Sequence, residues 1–241
     1  MFVIPMVGKS SRFFKEGYVL PKYQLPLYGA SVFANVIESF QHYFESESFL
    51  FLCRTDYQAQ DFIRTELLRI GVRNFSILPF ECETRGQAET VYQGIQDVPS
   101  GEEIYIFNID TIRPGFRKPS FIAECDGYLE VFRAEGEHWS FVVAGDHNNV
   151  LRTTEKNRVS DLCSDGLYYF KHKSDFDTLF EAAERENDAV KGEYYVAPLY
   201  NRLITAGKTI KYQLIEADEV VLCGTPLEYE ALCKSFLNHK K

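Results

Sequence analysis

The sequence predicts an α/β fold with a mostly parallel central sheet flanked by helices, and three observations predict it. From residue 2 to residue 110, short continuous apolar runs alternate with segments whose apolar residues recur at helical spacing. That is the pattern of strands joined by helical crossovers. After about residue 115 the pattern changes to shorter strands separated by polar turns, which predicts an added β region. The length of 241 residues suits one domain with a well-buried core. The simplest division is one domain over 1–241, with a first part at 1–115 and a second at 116–241. No internal repeat, low-complexity tract or linker breaks it.

The elements follow in order. Phe2 to Val7 is an apolar run that suits a buried central strand, and it stops at Gly8. Ser31 to Phe44 carries Phe33, Val36, Ile37, Phe40 and Phe44 at helical spacing, with Ser31 as its N-cap. Phe49 to Cys53 is a second apolar run. Tyr57 to Ile70 reads as a helix ended by Gly71. Phe75 to Leu78 is a third strand, Gly86 opens a helix with Ala88, Val91, Tyr92 and Ile95 on one face, and Ile104 to Phe107 is a fourth strand. In the second half, 139–144, 150–155 and 167–170 read as strands. Residues 176–186 and 194–206 read as helices, the second closed by Gly207. Residues 210–215 and 219–222 read as a strand pair, and 226–237 as the last helix.

Charge and composition exclude several classes. A formal net charge of −9 argues against a general nucleic-acid binder. No run of about 18 apolar residues predicts a membrane span. The first residues lack a basic segment followed by a signal-type apolar core, so the expected location is the cytoplasm. Six cysteines without a C-x-x-C pair are expected to be reduced and structural. The five histidines show no metal-ligand spacing.

Candidate chemistry concentrates at strand ends, where ligands of such sheets bind; Gly8, Gly86 and Asp110 are all expected at that edge. Gly8 lets the backbone turn closely around a ligand. Lys9, Ser10 and Ser11 follow it, their N–H and hydroxyl donors suiting an anion nest, and Arg12 can fork onto phosphate oxygens. Lys22, after Pro21, adds a second cation. Together they suit a nucleoside triphosphate; the other reading is an ordinary strand–loop with two solvated basic residues. Asn108-Ile109-Asp110 follows a buried strand, and Asp110 can hold a hard divalent cation against triphosphate oxygens or cap a turn. Gly86 and Gln87 either approach a flat base, with Gln87 as donor and acceptor, or simply start a helix.

These stretches resemble the nucleotidylyltransferases that activate sugar phosphates and related phosphorylated compounds. Gly8, Ser11, Arg12, Pro21 and Lys22 match their G-x-G-[ST]-R-F…P-K signature, and Ser10 stands where the family usually has a second glycine. Glu155-Lys156 matches an E-K pair, Asp165 to Phe170 a G-[IL]-Y-x-F strand, Gly192 to Asn201 an E-[FY]-Y-[IV]-x-x-x-Y segment, and Cys223 to Glu228 a G-T-P-E-D stretch. The resemblance runs from residue 2 to about 232. It implies a Rossmann-like fold of the nucleotide-diphospho-sugar transferase type whose added β region binds the acceptor.

It further implies a base contact at Gly86 and Gln87, and Mg²⁺ on Asp110 beside Asn108. Glu155, Lys156, Gly166 and Glu193 are implied to hold the acceptor, with Tyr200 in the core and Thr225 capping the last helix. The implied reaction joins a nucleotide from a triphosphate to a small phosphorylated acceptor and releases pyrophosphate, with Arg12, Lys22 and Asp110 catalytic. The compact Gly8–Phe13 version most resembles cytidylyltransferases of capsule and lipid pathways, which favours CTP and a role in surface polysaccharide synthesis. Many relatives carry a second metal-binding aspartate just before the Gly-Thr. Here Val221, Leu222 and Cys223 stand there instead, leaving Glu216 or Asp218 as substitutes or Asp110 alone. A metal-dependent glycosyltransferase of the same fold and a catalytically silent nucleotide-binding module remain as alternatives.

Overall fold

The computed structural model describes residues 1–239. In chain order its strands and helices are β1 (Phe2–Met6), α1 (Ser11–Lys15), β2 (Pro26–Leu27), β3 (Ala30–Ser31), α2 (Val32–Glu38), β4 (Phe49–Arg54), α3 (Ala59–Ile70), β5 (Phe75–Phe80), α4 (Gln87–Gly94) and β6 (Ile104–Phe107). There follow β7 (Thr111–Ile112), β8 (Gly127–Arg133), β9 (Ser140–Ala144), β10 (Val150–Glu155), β11 (Leu162–Phe170), α5 (Lys173–Arg185), α6 (Tyr200–Thr205), β12 (Ile210–Leu214), β13 (Val221–Leu222) and α7 (Pro226–His239). The fold class is the predicted one, an α/β protein with a mostly parallel central sheet flanked by helices. Two compact units form from interleaved segments of the chain.

The first unit comprises residues 1–5, 84–107 and 118–217. Its sheet sets β1 parallel to β6, with Phe2 opposite Tyr105, and β6 antiparallel to β11, with Leu167 opposite Phe107. β11 is buried over all nine residues, the polar Ser164 and Asp165 included. On one flank it pairs with β8 along its length, and on the other with β9 through Cys163 and then with β6. The β8 register shifts between Ser164 and Tyr168. Gly166 lies in this bulge at φ 96°, a left-handed conformation that glycine adopts without a Cβ penalty. Ser164 Oγ and Asp165 Oδ1 accept the N–H groups of Gly166 and Leu167 at 3.1 and 3.0 Å. The core is aromatic: the Tyr200 ring stacks on Phe170 at 4.6 Å, and its hydroxyl donates to the carbonyls of Tyr169 and Tyr128, the core role expected of it.

The second unit comprises residues 6–83, 108–117 and 218–239. β4 and β5 pair in parallel from Phe49–Phe75 to Arg54–Phe80, and α2 and α3 pack together through Phe33 and Phe62. Ser31 caps α2 as predicted, its Oγ accepting the Ala34 N–H at 3.1 Å. Gly71 ends α3 at φ 94°.

Several sequence readings are corrected, among them the helix over 194–206, which is α-helical only at Tyr200–Thr205. Residues 210–214 do not pair with 219–222: β12 runs parallel to β8, and β13 pairs antiparallel with β7. Both short apolar runs suit a strand, but the six residues between them do not form a hairpin. The reading also missed β8, whose apolar run is interrupted by Glu130, and the one-and-a-half-turn α1. The predicted helix over 31–44 is α2 followed by a separate 3-10 turn at Gln41–Tyr43.

Candidate functional site

The candidate residues fall into two groups, one within each unit. In the second unit, the chain leaves β1 through Gly8 and Lys9 and enters α1 at Ser10. Ser10 is left-handed, at φ 53° and ψ 30°. That explains why a glycine is usual at this position: a side chain there costs about 1–2 kcal/mol. Its hydroxyl compensates by accepting the backbone N–H of Lys22 at 3.1 Å, which ties the loop to the second cationic segment. Lys9 forms a half-exposed ion pair with Glu83 at 2.6 Å. Ser11 and Arg12 open α1 and are exposed. Arg12, Lys15 and Glu16 line one side of an open cleft of about 410 Å³, with Thr225, Pro226, Leu227 and Glu230 on the other.

Lys22 and Asp110, 88 residues apart in sequence, form a mostly buried ion pair between Nζ and Oδ2. The backbone of Asp110 is anchored as well, its carbonyl accepting the Cys223 N–H at 2.9 Å. Gly224 follows, and a Cβ built on it would sit 2.9 Å from Asp110 Oδ2 and 3.8 Å from Glu228 Oε2. A bare Cα is therefore what lets the Asp110 carboxylate pack this closely. Burial, assisted by Asp110, pushes the Cys223 thiol up to about 12. It stays a neutral thiol near pH 7 and offers no thiolate ligand. Thr225 caps α7 as predicted: its hydroxyl accepts the Glu228 N–H at 3.3 Å, and Glu228 Oε2 accepts the Thr225 N–H at 2.9 Å, a reciprocal capping box. This makes Glu228 the carboxylate beside Gly224, one that the sequence reading did not single out; it considered Glu216 and Asp218. Asn108 precedes Asp110 by two residues in the connection from β6 to β7.

In the first unit, Gly86 stands at the N-cap of α4 with φ 120° and ψ 176°. A Cβ there would lie 2.5 Å from the Tyr194 carbonyl oxygen. The backbones of 85–88 and Tyr194 are also bonded to each other, Tyr194 N to Arg85 O and Ala88 N to Tyr194 O. Packing against Tyr194 thus accounts for the glycine without any ligand. Gln87 is the first residue of α4.

Glu155 ends β10, and Lys156 follows it in a left-handed conformation, φ 52°. The Glu155 carboxylate is buried and accepts from the Ser140 hydroxyl. Burial raises its pKa above the ordinary glutamate value, against the opposing pull of Ser140 and Lys156. Lys156 Nζ donates to the Tyr195 hydroxyl and lies 4.2 Å above that ring's centre, while the Tyr195 hydroxyl donates to Glu193 Oε2. Burial and then Glu193 push the phenol up, so it remains a neutral donor. The structure therefore joins Lys156 to Glu193 through Tyr195, with Glu155 Oε1 3.9 Å from the Lys156 ammonium. The sequence offers that tyrosine only as part of the Gly192–Asn201 segment, with no role of its own. Gly166 sits in the bulge of β11 described above.

Such an arrangement offers cations and a carboxylate in one unit, and a carboxylate–ammonium–phenol cluster in the other. Among the described residues no helix is long and apolar enough to cross a membrane. No family model matches the chain, and no curated protein matches it. Solved structures do. An inositol-1-phosphate CTP transferase from T. maritima superposes with a TM-score of 0.75 at 14% identity, over 97% of this chain and 94% of that one. A UDP-glucose pyrophosphorylase bound to UDP-glucose superposes at 0.75 and 14%, over 99% and 98%; at this identity both speak for the fold. The nucleoside-diphosphate-sugar pyrophosphorylase from Vibrio cholerae RC9 is 44% identical, with a TM-score of 0.93 over 97% of this chain and 100% of that one. With that identity over the full length of both, this chain belongs to the nucleoside-diphosphate-sugar pyrophosphorylase family and is a nucleotidyltransferase.

Proposed function

We propose that the protein transfers a nucleotide from a nucleoside triphosphate, with CTP favoured, to a small phosphorylated acceptor such as a sugar phosphate. The observation that carries this reading is the convergence of Lys22, Asp110 and the Ser10 loop in one unit of a chain 44% identical to a nucleoside-diphosphate-sugar pyrophosphorylase. An acceptor phosphate oxygen attacks the α-phosphorus, the bond from that phosphorus to the bridging oxygen breaks, and pyrophosphate leaves with the electron pair. The attacking oxygen is already an anion, so no side chain need remove a proton. Arg12 and Lys22 neutralise the developing charge, and the chain from Gly8 to Ser11 cradles the phosphates. Asn108 belongs to the same nucleotide site in this reading, and the resemblance suggests a base contact for Gly86 and Gln87. Lys156 meets the acceptor's phosphate, Glu155 and Glu193 its polar body, and Gly166 lets it pack closely.

Mg²⁺ fits the donors beside Asp110. A hard cation takes oxygen ligands, using one or two carboxylates plus phosphates; Asp110 supplies one carboxylate, and the nearby sulfur is a neutral thiol. When bound there it would supply further neutralisation of the triphosphate. The product suits surface polysaccharide synthesis in the cytoplasm, a role that rests on the resemblance of the Gly8–Phe13 stretch to cytidylyltransferases of those pathways.

The test is pyrophosphate release across the four common triphosphates and a panel of phosphorylated sugars, alcohols and amides. Metal-dependent release with one triphosphate and one acceptor class is the expected result. Tight nucleotide binding with no release from any pair would replace the enzyme reading with a silent nucleotide-binding one.

A further inference from the structure

We infer that Lys22 is the resident counter-ion of Asp110, holding its Oδ2 in the nucleotide-free protein and so making divalent-metal affinity conditional on an incoming triphosphate. The inference rests on the proposed reading of Asp110 as the metal's carboxylate. Four features of the second unit carry it. The ammonium of Lys22 contacts Oδ2, the same oxygen that packs closely on Gly224. Both partners are about four-fifths buried, at 19% and 20% side-chain exposure, so water screens the pair poorly. The Lys22 backbone is held by Ser10 Oγ, which keeps the ammonium within reach of one carboxylate. Asp110 is equally anchored, through its carbonyl to Cys223 N.

A cation approaching Oδ2 must therefore displace an ammonium or sit beside it, and like charges at contact distance are disfavoured. A triphosphate changes the balance. It brings oxygens that can take over Lys22, and the released carboxylate then faces the metal carried on the same phosphates. The arrangement explains how a single carboxylate can serve: it need not hold free metal, only metal that arrives with its own phosphate ligands. Lys22 thus has two positions in the cycle, on Asp110 when the site is empty and on phosphate when it is filled.

The experiment reads metal binding without turnover. Mn²⁺ is titrated into nucleotide-free protein and its free concentration followed by electron paramagnetic resonance. The wild type, Lys22→Met, Lys22→Arg, Asp110→Asn and the Lys22→Met/Asp110→Asn double variant are compared. Each is first checked for a native thermal midpoint, and Lys22→Gln replaces Lys22→Met if the latter fails to fold. Lys22→Met should bind Mn²⁺ at least about tenfold more tightly than wild type, because a contacting like charge has been removed. Lys22→Arg should show no gain, and the double variant should lose the gain. No gain in Lys22→Met, or a gain that survives Asp110→Asn, overturns the inference. Pyrophosphate release by the same wild-type preparation separates the two readings. If release is metal-dependent but Lys22→Met shows no gain, the resident-ion role falls and the proposed activity stands. If Mn²⁺ affinity responds as expected but no triphosphate is turned over, the proposed activity falls instead.

Discussion

Two glycines invite the same substitution with opposite expected consequences. Gly224 is not left-handed, so alanine is tolerated by the backbone, but its Cβ would meet Asp110 Oδ2 at 2.9 Å and Cγ at 3.4 Å. A carbon and a carboxylate oxygen rest about 3.3 Å or more apart, so the carboxylate must move by about half an ångström. The contact is the end of a side chain, which can yield, and the stability cost should stay below about 1 kcal/mol. Catalysis is less forgiving: a displacement of about 1 Å can cost roughly a hundredfold, so half of that should lower kcat about tenfold, or about 1.4 kcal/mol of transition-state stabilisation.

At Gly86 the clash is with backbone, 2.5 Å from Tyr194 O and 2.7 Å from Tyr194 N, at φ 120°. Neither the conformation nor the neighbour can yield cheaply, and Gly86→Ala should destabilise the fold by about 2–5 kcal/mol. Thermal melts and metal-dependent pyrophosphate release on both variants separate the cases. Gly224→Ala turning over at the wild-type rate, or melting as early as Gly86→Ala, would refute the view that Gly224 protects the position of the Asp110 carboxylate.

Asp110→Asn keeps the shape but removes the charge, so turnover should fall by at least about a hundredfold while nucleotide still docks through Arg12 and the loop; isothermal titration with the preferred triphosphate checks the second half. Equal damage from Glu216→Gln or Asp218→Asn in folded protein would point to a second carboxylate. Glu155 has a folded pKa above its ordinary value of 4.5. The folded state therefore binds its proton more tightly than the unfolded state, and this group's contribution to stability declines as pH rises from 4.5 through the raised value. Glu155→Gln should raise the thermal midpoint near pH 7, leave it little changed below about pH 4, and weaken acceptor use; a lower midpoint at pH 7 contradicts the burial argument. Ser31→Ala removes the cap of α2 and should cost about 1 kcal/mol in denaturant melts; an unchanged midpoint would mean that the Ala34 N–H finds another partner.

The fold was legible in the sequence where the information is local. Phe49–Cys53 could only be a buried strand by its continuous apolar run, and Ser31 and Gly71 mark helix ends by side-chain chemistry and left-handed tolerance that act within a few residues. Thr225 belongs with them, since its cap is completed by Glu228 three residues on. The loop residues from Gly8 to Arg12 were equally visible, because their donors and charges are consecutive.

What the sequence could not carry is partnership at a distance. Periodicity says which face of β12 is buried but not that it lies parallel to β8, since either neighbour would bury the same face. β8 itself escaped because Glu130 interrupts its apolar run, yet that glutamate is 1% exposed; burial of a charged residue depends on the surrounding chain, which local pattern does not contain. At Gly86 the sequence offers a base contact or a plain helix start, but not the backbone of Tyr194, more than a hundred residues later, that packs against it. Lys22 and Asp110 were each candidates on chemistry alone, and Lys156 and Glu193 were candidates through the resemblance. Only the folded path of the chain puts the ammonium of Lys22 on the carboxylate of Asp110, and Tyr195 between Lys156 and Glu193. The sequence thus determined which residue types were present for the chemistry, and the tertiary structure decided which of them touch, because contact energies depend on distances that the chain path alone sets.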